Sequence, residues 1–195
     1  MLRSALVAAA LYAPYPANPA ALHAAVLPFI CTACRHAGSD LQGSVVGSGS
    51  AGIACALAAL ATGSYAMFQA GFVASFGSKL SDTLSSEIGK GFGKTTYLIT
   101  TLKRVPPGTE GAVSLEGTLA GIAAALVYVL AALAVRQIDV LGALICVVAA
   151  TVANVVESYI GATTQDSIDW LSNDVVNVIQ IFIAAAVAVT LRAVT

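Results

Sequence analysis

Apolar runs broken by short polar gaps organise this chain. Ser50 to Thr62 and Tyr65 to Leu80 are apolar and meet at Gly63-Ser64, the pattern of a tight helical hairpin. Thr118 to Val135, Ile138 to Val156 and Val175 to Ala193 are longer apolar spans, separated by Arg136-Gln137 and by the polar connection Thr163 to Asp174. About 20 apolar helical residues cross the ~30 Å hydrocarbon core of a bilayer. Between the hairpin and these spans the pattern changes. Ser81 to Gly93 is polar yet suited to helix until its glycines, and Lys94 to Glu116 carries Pro106-Pro107-Gly108, which predicts a loop or re-entrant segment. Nothing alternates with period two over the lengths a membrane barrel needs. The pattern predicts an all-α polytopic membrane bundle of about five to six transmembrane helices, with a polar loop at the membrane face.

The amino end follows a different rule. Leu2 to Tyr12 is apolar behind Arg3, Pro14, Pro16 and Pro19 break the pattern, and Ala20 to Cys34 is apolar again. Neither piece has spanning length. Leu2 to Tyr12 reads equally as the apolar region of a signal peptide, without a clear cleavage site, or as a membrane-embedded half-helix. Residues 1–49 are therefore a poorly defined part of a single transmembrane domain that covers 1–195.

Composition agrees with a membrane solvent. Hydrophobic residues make up 58% and charged residues 10% of the 195, with a mean hydropathy of +0.87. That is too little charge to coat a soluble particle, and a net charge of −1 removes the signature of a nucleic-acid binder. The spans are rich in Ala and Gly, which let membrane helices approach closely. Cys31 and Cys34 form a lone CxxC without a second pair, so helix packing explains them better than a metal does. The lysines and arginine between Lys90 and Arg104 place that loop on the cytosolic or stromal side.

The few charges are clustered. Nine of nineteen fall between Lys79 and Glu116, and a bilayer makes such groups costly unless they work together. On a helix, Asp82, Ser86 and Gly89/Lys90 share a face, with Thr83 one turn from Glu87. Such a set suits a hydrated Mg²⁺, held by one or two carboxylates beside phosphates; the plain alternative is a solvated helix end. Gly89-Lys-Gly-Phe-Gly93-Lys94-Thr95-Thr96 looks like a Walker A loop but encloses three residues where that motif has four, and no strand precedes it. Its glycines and lysines still allow phosphate to approach. Lys103, Arg104, Glu110, Ser114 and Glu116 surround the Pro-Pro-Gly turn, with Glu116 favoured by the helix dipole. Asn154, Glu157, Ser158 and Gly161 form a polar stripe, and Asn173, Asp174 and Asn177 form another. These stripes should face each other or a polar cavity.

Candidate carboxylates for catalysis and Mg²⁺ are thus Asp82, Glu87, Glu116, Glu157 and Asp174. Lys79, Lys90, Lys94, Thr95, Lys103, Arg104, Glu110, Ser114, Asn154, Asn173 and Asn177 are candidates for phosphate and nucleotide. His23 and His36 lie in the amino part, so no Ser-His-Asp or Cys-His set is formed. Carboxylates and cations without a His base fit phosphoryl transfer, and the membrane implies a lipid-soluble substrate.

Several of these motifs together resemble one family. They are Lys79-Leu-Ser-Asp-Thr-Leu-Ser-Ser-Glu-Ile-Gly-Lys90, Gly93-Lys-Thr-Thr-Tyr97, Pro107-Gly-Thr-Glu-Gly111, Ser114-Leu-Glu-Gly-Thr118, Ala153-Asn154 with Glu157-Ser-Tyr-Ile-Gly161, and Trp170-Leu-Ser-Asn-Asp-Val-Val-Asn177. The chain is similar, from about Gly71 to Ala193, to the integral membrane family that includes phytyl-phosphate kinase of vitamin E synthesis, in its plastid and cyanobacterial branch. The resemblance implies transfer of a phosphoryl group from CTP or another nucleoside triphosphate to phytyl phosphate or a similar isoprenoid monophosphate. It also implies Mg²⁺ as cofactor, a chloroplast or cyanobacterial-type membrane, and a role in tocopherol and phylloquinone synthesis. Members carry further amino-terminal membrane helices that residues 1–49 match poorly, so a shortened amino part is expected. Two other readings fit the residues alone: an ion-coupled transporter, since carboxylates and Asn stripes also coordinate cations, and an inactive subunit of a membrane complex. The sequence leaves oligomeric state open.

Overall fold

The structure is a computed structural model that describes residues 39–164, 168 and 170–195. The Leu2–Tyr12 segment, the CxxC pair and both histidines lie outside the described residues. Five helices and one small sheet follow in order: α1 (Ser39–Thr62), α2 (Tyr65–Phe92), β1 (Thr96–Leu98), β2 (Ala112–Ser114), α3 (Leu115–Ala134), α4 (Val140–Thr164) and α5 (Asn173–Ala193). The α1–α2 hairpin turns at Gly63, whose φ of +74° suits a residue without Cβ.

Helix α2 is the hub and packs against the other four. Apart from Gln69, its buried positions are small: Ala70, Gly71, Val73, Ala74, Ser75, Gly77, Ser78 and Ser81. Small residues substitute for the missing hydrophobic drive by letting backbones come close. An added Cβ at Gly71 would stand 2.7 Å from Val189 and 2.8 Å from Cys55. The main core joins Val73, Val129, Cys146, Ala149, Ala153, Ala184 and Ala188 from α2, α3, α4 and α5. Within it the Cys146 thiol donates to the carbonyl of Ala70 at 3.3 Å.

Two expectations change. Among the described residues, three helices rather than five to six are long and apolar enough to cross a membrane: Leu115–Ala134, Val140–Thr164 and Asn173–Ala193. The apolar part of α1, Gly49–Thr62, is shorter, and α2 turns polar after Leu80 where Asp82, Glu87 and Lys90 begin. The second change concerns Lys94 to Glu116. It is largely loop, as expected, but carries a short antiparallel pair with Thr96 opposite Ser114, Tyr97 opposite Val113 and Leu98 opposite Ala112, so the fold is mostly rather than wholly helical. The β-branched and aromatic run Thr95-Thr96-Tyr97-Leu98-Ile99-Thr100 favours such pairing.

The far end of the bundle is held separately. Arg192, in the last turn of α5, pairs with Asp139, whose other carboxylate oxygen accepts from the Gly142 N–H at 2.7 Å at the start of α4.

Candidate functional site

At the polar end of α2 five elements enclose a cavity of about 280 Å³. Helix α2 contributes Ser81, Asp82, Ser85, Ser86, Gly89 and Lys90; the hairpin contributes Thr96, Ile99 and the stretch Gly108 to Ser114. Gly117, Thr118 and Ile122 come from α3, Thr151, Asn154, Val155, Glu157 and Ser158 from α4, and Asn173 from α5. The wall is thus polar around three carboxylates, Asp82, Glu110 and Glu157, with apolar Ile122 and Val155 on the side of the membrane helices.

Close approach makes this possible. Gly117 and Gly121 lie one turn apart on α3 and press on α2: a Cβ at Gly121 would fall 2.0 Å from the Ser85 Oγ, and one at Gly117 would fall 2.5 Å from the Ser85 carbonyl. The Asn154 amide then reaches across from α4 and donates to Ser81 Oγ at 3.2 Å and Ser85 Oγ at 3.0 Å. Gly111 brings the hairpin onto α4 in the same way. Its φ is +69°, and a Cβ there would lie 2.5 Å from the Ser158 carbonyl. Ser114 ends β2 and caps α3, its Oγ accepting from the Gly117 N–H at 3.1 Å.

Electrostatically the site gathers carboxylates and cations. Lys79 Nζ pairs with Asp82 Oδ2 at 3.1 Å, and the Ser158 hydroxyl donates to Glu157 Oε2 at 3.2 Å. Asp82, Glu110 and Lys79 are the charged neighbours that Glu157 feels. Among the described residues no group of three or more His, Cys, Asp and Glu side chains is arranged to hold an ion alone. Two carboxylates on facing helices do match the donor set Mg²⁺ takes when phosphates complete its shell.

Of the sequence candidates, the cavity brings together Asp82, Lys90, Glu110, Ser114, Asn154, Glu157 and Asn173. Lys79 contributes indirectly, through its pair with Asp82. Glu87, Glu116, Asp174, Lys94, Thr95, Lys103, Arg104 and Asn177 do not line it. Helix phase explains two of these: at about 100° per residue, Glu87 points away from the arc of Asp82, Ser85, Ser86 and Lys90, and Glu116 away from that of Gly117, Thr118, Gly121 and Ile122. Lys94, Lys103 and Arg104 are exposed on the hairpin, where Arg104 bridges to Tyr97 through backbone. The Walker-like segment is the end of a helix leading into a strand, the reverse of the order a P-loop needs.

Sequence reasoning missed Ser81, Thr96 and Thr151 in the cavity wall and Gln180 outside it. Ser81 and Thr151 extend the known stripes back by one helical turn, a signal available in the sequence. Gln180 is fully buried and donates to the Ser78 carbonyl at 3.4 Å, which continues the Asn173–Asn177 stripe along α5.

The profile of integral membrane protein DUF92 matches residues 20–185. The chain is 51% identical over 155 residues to "Protein VTE6, chloroplastic" of Arabidopsis thaliana, covering 76% of this chain and 46% of that protein. It is 53% identical over 123 residues to an uncharacterized membrane protein of Synechocystis, 63% of this chain and 48% of that one. A membrane protein of Methanocaldococcus jannaschii is 33% identical over 121 residues, 61% of this chain and 49% of the relative. The chain spans about half the length of the curated relatives it matches. No solved structure matches it.

Proposed function

This chain belongs to the integral membrane protein family DUF92, and we propose that it is a membrane-bound prenyl-phosphate kinase. It transfers the terminal phosphoryl group of CTP or another nucleoside triphosphate to phytyl phosphate or a similar isoprenoid monophosphate. An oxygen of the acceptor's phosphate attacks the terminal phosphorus, the bond from that phosphorus to its bridging oxygen breaks, and the nucleoside diphosphate leaves with the electron pair. The acceptor oxygen is already anionic at neutral pH, since the second ionisation of a phosphate monoester lies near 6. No histidine base is needed.

The observation that carries the reading is the convergence of Asp82, Glu157 and Glu110 with Lys90 in one cavity at the polar end of α2. Asp82 and Glu157 are the residues that would hold Mg²⁺, which when bound supplies neutralisation of the phosphate charge. Lys79 holds Asp82 in place. Lys90 meets phosphate oxygens from the α2 side, and Gly108 and Gly111 leave backbone N–H groups open to them on the hairpin. Asn154 fixes α2 against α4 and so sets the separation of the two carboxylates. The lysines near the cavity support a location on the side that holds soluble nucleotide. Kinship to a chloroplastic protein and a cyanobacterial one supports a chloroplast or cyanobacterial-type membrane and a role in tocopherol synthesis.

The test is direct. Purified protein in lipid, given nucleoside triphosphate, Mg²⁺ and phytyl phosphate, yields the diphosphate, followed by mass spectrometry. Asp82→Asn and Glu157→Gln each abolish it. Absence of product with every nucleoside triphosphate, together with ion flux in sealed vesicles, would establish the transporter reading instead.

A further inference from the structure

The cavity wall is uneven. Toward α2 it is sealed by the Gly117 and Gly121 contacts. Between α3 and α4 it is lined by Thr118 and Ile122, one turn apart on α3, and by Thr151 and Val155, one turn apart on α4. Val155 lines the cavity and is also 52% exposed. Thr118 is exposed too. Thr118 of α3 and Val155 of α4 are thus both cavity wall and accessible surface. Both helices are long and apolar enough to cross a membrane, and Ile122 lies roughly 10 Å along the axis from the start of α3. The surroundings at that depth are lipid.

Volume points the same way. Sites that enclose a drug-sized molecule measure about 300–1,000 Å³, and this one holds about 280 Å³. Phosphates fill such a space without room for a long hydrocarbon chain. We propose that the gap framed by Thr118, Ile122, Thr151 and Val155 is a lateral port, through which the acceptor's isoprenoid chain leaves the cavity and stays in the bilayer. This rests on the prenyl-phosphate kinase reading and adds the route of the chain and the residues that select it. Carbon beyond the port remains in hydrocarbon before and after binding, so it contributes almost nothing to affinity. Selection acts on the isoprene units just beyond the first, which pass Ile122 and Val155. Chains of different total length are then handled alike, provided they exceed the port.

Two measurements on the full chain in lipid nanodiscs test the port. In the first, Ile122→Trp and Val155→Trp narrow it, and kcat/KM is compared for phytyl monophosphate and for dimethylallyl monophosphate, whose chain ends before the gap. The long-to-short ratio falls by at least about ten-fold in each variant; an unchanged ratio overturns the port. In the second, the unmodified chain is photolabelled with an isoprenoid monophosphate carrying a diazirine on its second isoprene unit. Adducts form on the peptides that hold Ile122 or Val155. Adducts confined to α1 or α5 overturn the proposal even if the protein turns over normally. Should no acceptor yield diphosphate, the kinase reading fails, and the labelling pattern alone decides whether the gap receives an isoprenoid chain.

Discussion

Adding one methyl group to α3 separates a backbone contact from a side-chain contact. At Gly117 a Cβ would stand 2.5 Å from the Ser85 carbonyl oxygen and 3.1 Å from the Gly89 Cα. Ordinary contact lies near 3.5 Å, so in Gly117→Ala α3 retreats by about 1 Å. Overpacking of this kind costs ~1–3 kcal/mol, and the helix preference of Ala over Gly returns ~0.5–1 kcal/mol. The expected net loss is about 1–2 kcal/mol. At Gly121 the worst clash is different, 2.0 Å to the Ser85 hydroxyl, with the Ser81 carbonyl at 2.9 Å. Ser85→Ala removes that hydroxyl. Alone it also removes an acceptor for Asn154, a loss of about 0.6 kcal/mol on the scale of membrane hydrogen bonds. Combined with Gly121→Ala it should restore roughly 1 kcal/mol, and combined with Gly117→Ala it should restore nothing. Unfolding of the six proteins (wild type, three single variants and two double variants) in mixed micelles measures both couplings. Equal rescue in both backgrounds, or none with Gly121→Ala, would refute the packing described. The same 1 Å shift carries Thr118 and Ile122 away from Asp82, so Gly117→Ala should also slow turnover by about a hundred-fold.

Other perturbations separate roles. Gly111→Ala should loosen the hairpin from α4 and expose it to protease, because its positive φ coincides with a contact of 2.5 Å to Ser158. Gly108→Ala shares the positive φ but meets nothing within 4 Å, so thermal unfolding should report only ~1–2 kcal/mol of backbone strain. Arg192→Gln should lower stability by about 1 kcal/mol while the rate of diphosphate formation stays at the wild-type value, since its partner Asp139 lies roughly 20 Å along α4 from the cavity. Lys79→Met should raise the Mg²⁺ concentration needed for half-maximal rate or change it little, but not abolish turnover, as Lys79 touches Asp82 rather than the cavity; complete loss would contradict this.

The helical elements were legible because their cues are local. Apolar runs mark α3, α4 and α5, Gly63-Ser64 marks the hairpin turn, and the i, i+4 spacing of Asp82, Ser86 and Lys90 placed them on one face that the cavity uses. The stripe from Asn154 to Ser158 was readable for the same reason. What escaped depends on pairing across distance. Thr96 opposite Ser114 joins strands of three residues, too short for any period to show. Asp139 and Arg192 lie 53 residues apart, and no local pattern pairs them before the fold brings them together. Glu116 looked well placed because it opens an apolar helix, yet one step of helical rotation gives the cavity its neighbours Gly117 and Thr118 instead.

The Asp139–Arg192 pair has a mechanical meaning for the proposed entry of a lipid substrate. It ties the start of α4 to the end of α5 at the face opposite the cavity, in the manner of a rivet through two blades. Motion of those helices is then angular, negligible at the rivet and growing with distance along them. Displacement is therefore larger at the cavity end, where Glu157 of α4 and Asn173 of α5 line the wall, than at the rivet. Swelling of the cavity as substrate arrives need not disturb the opposite membrane surface at all.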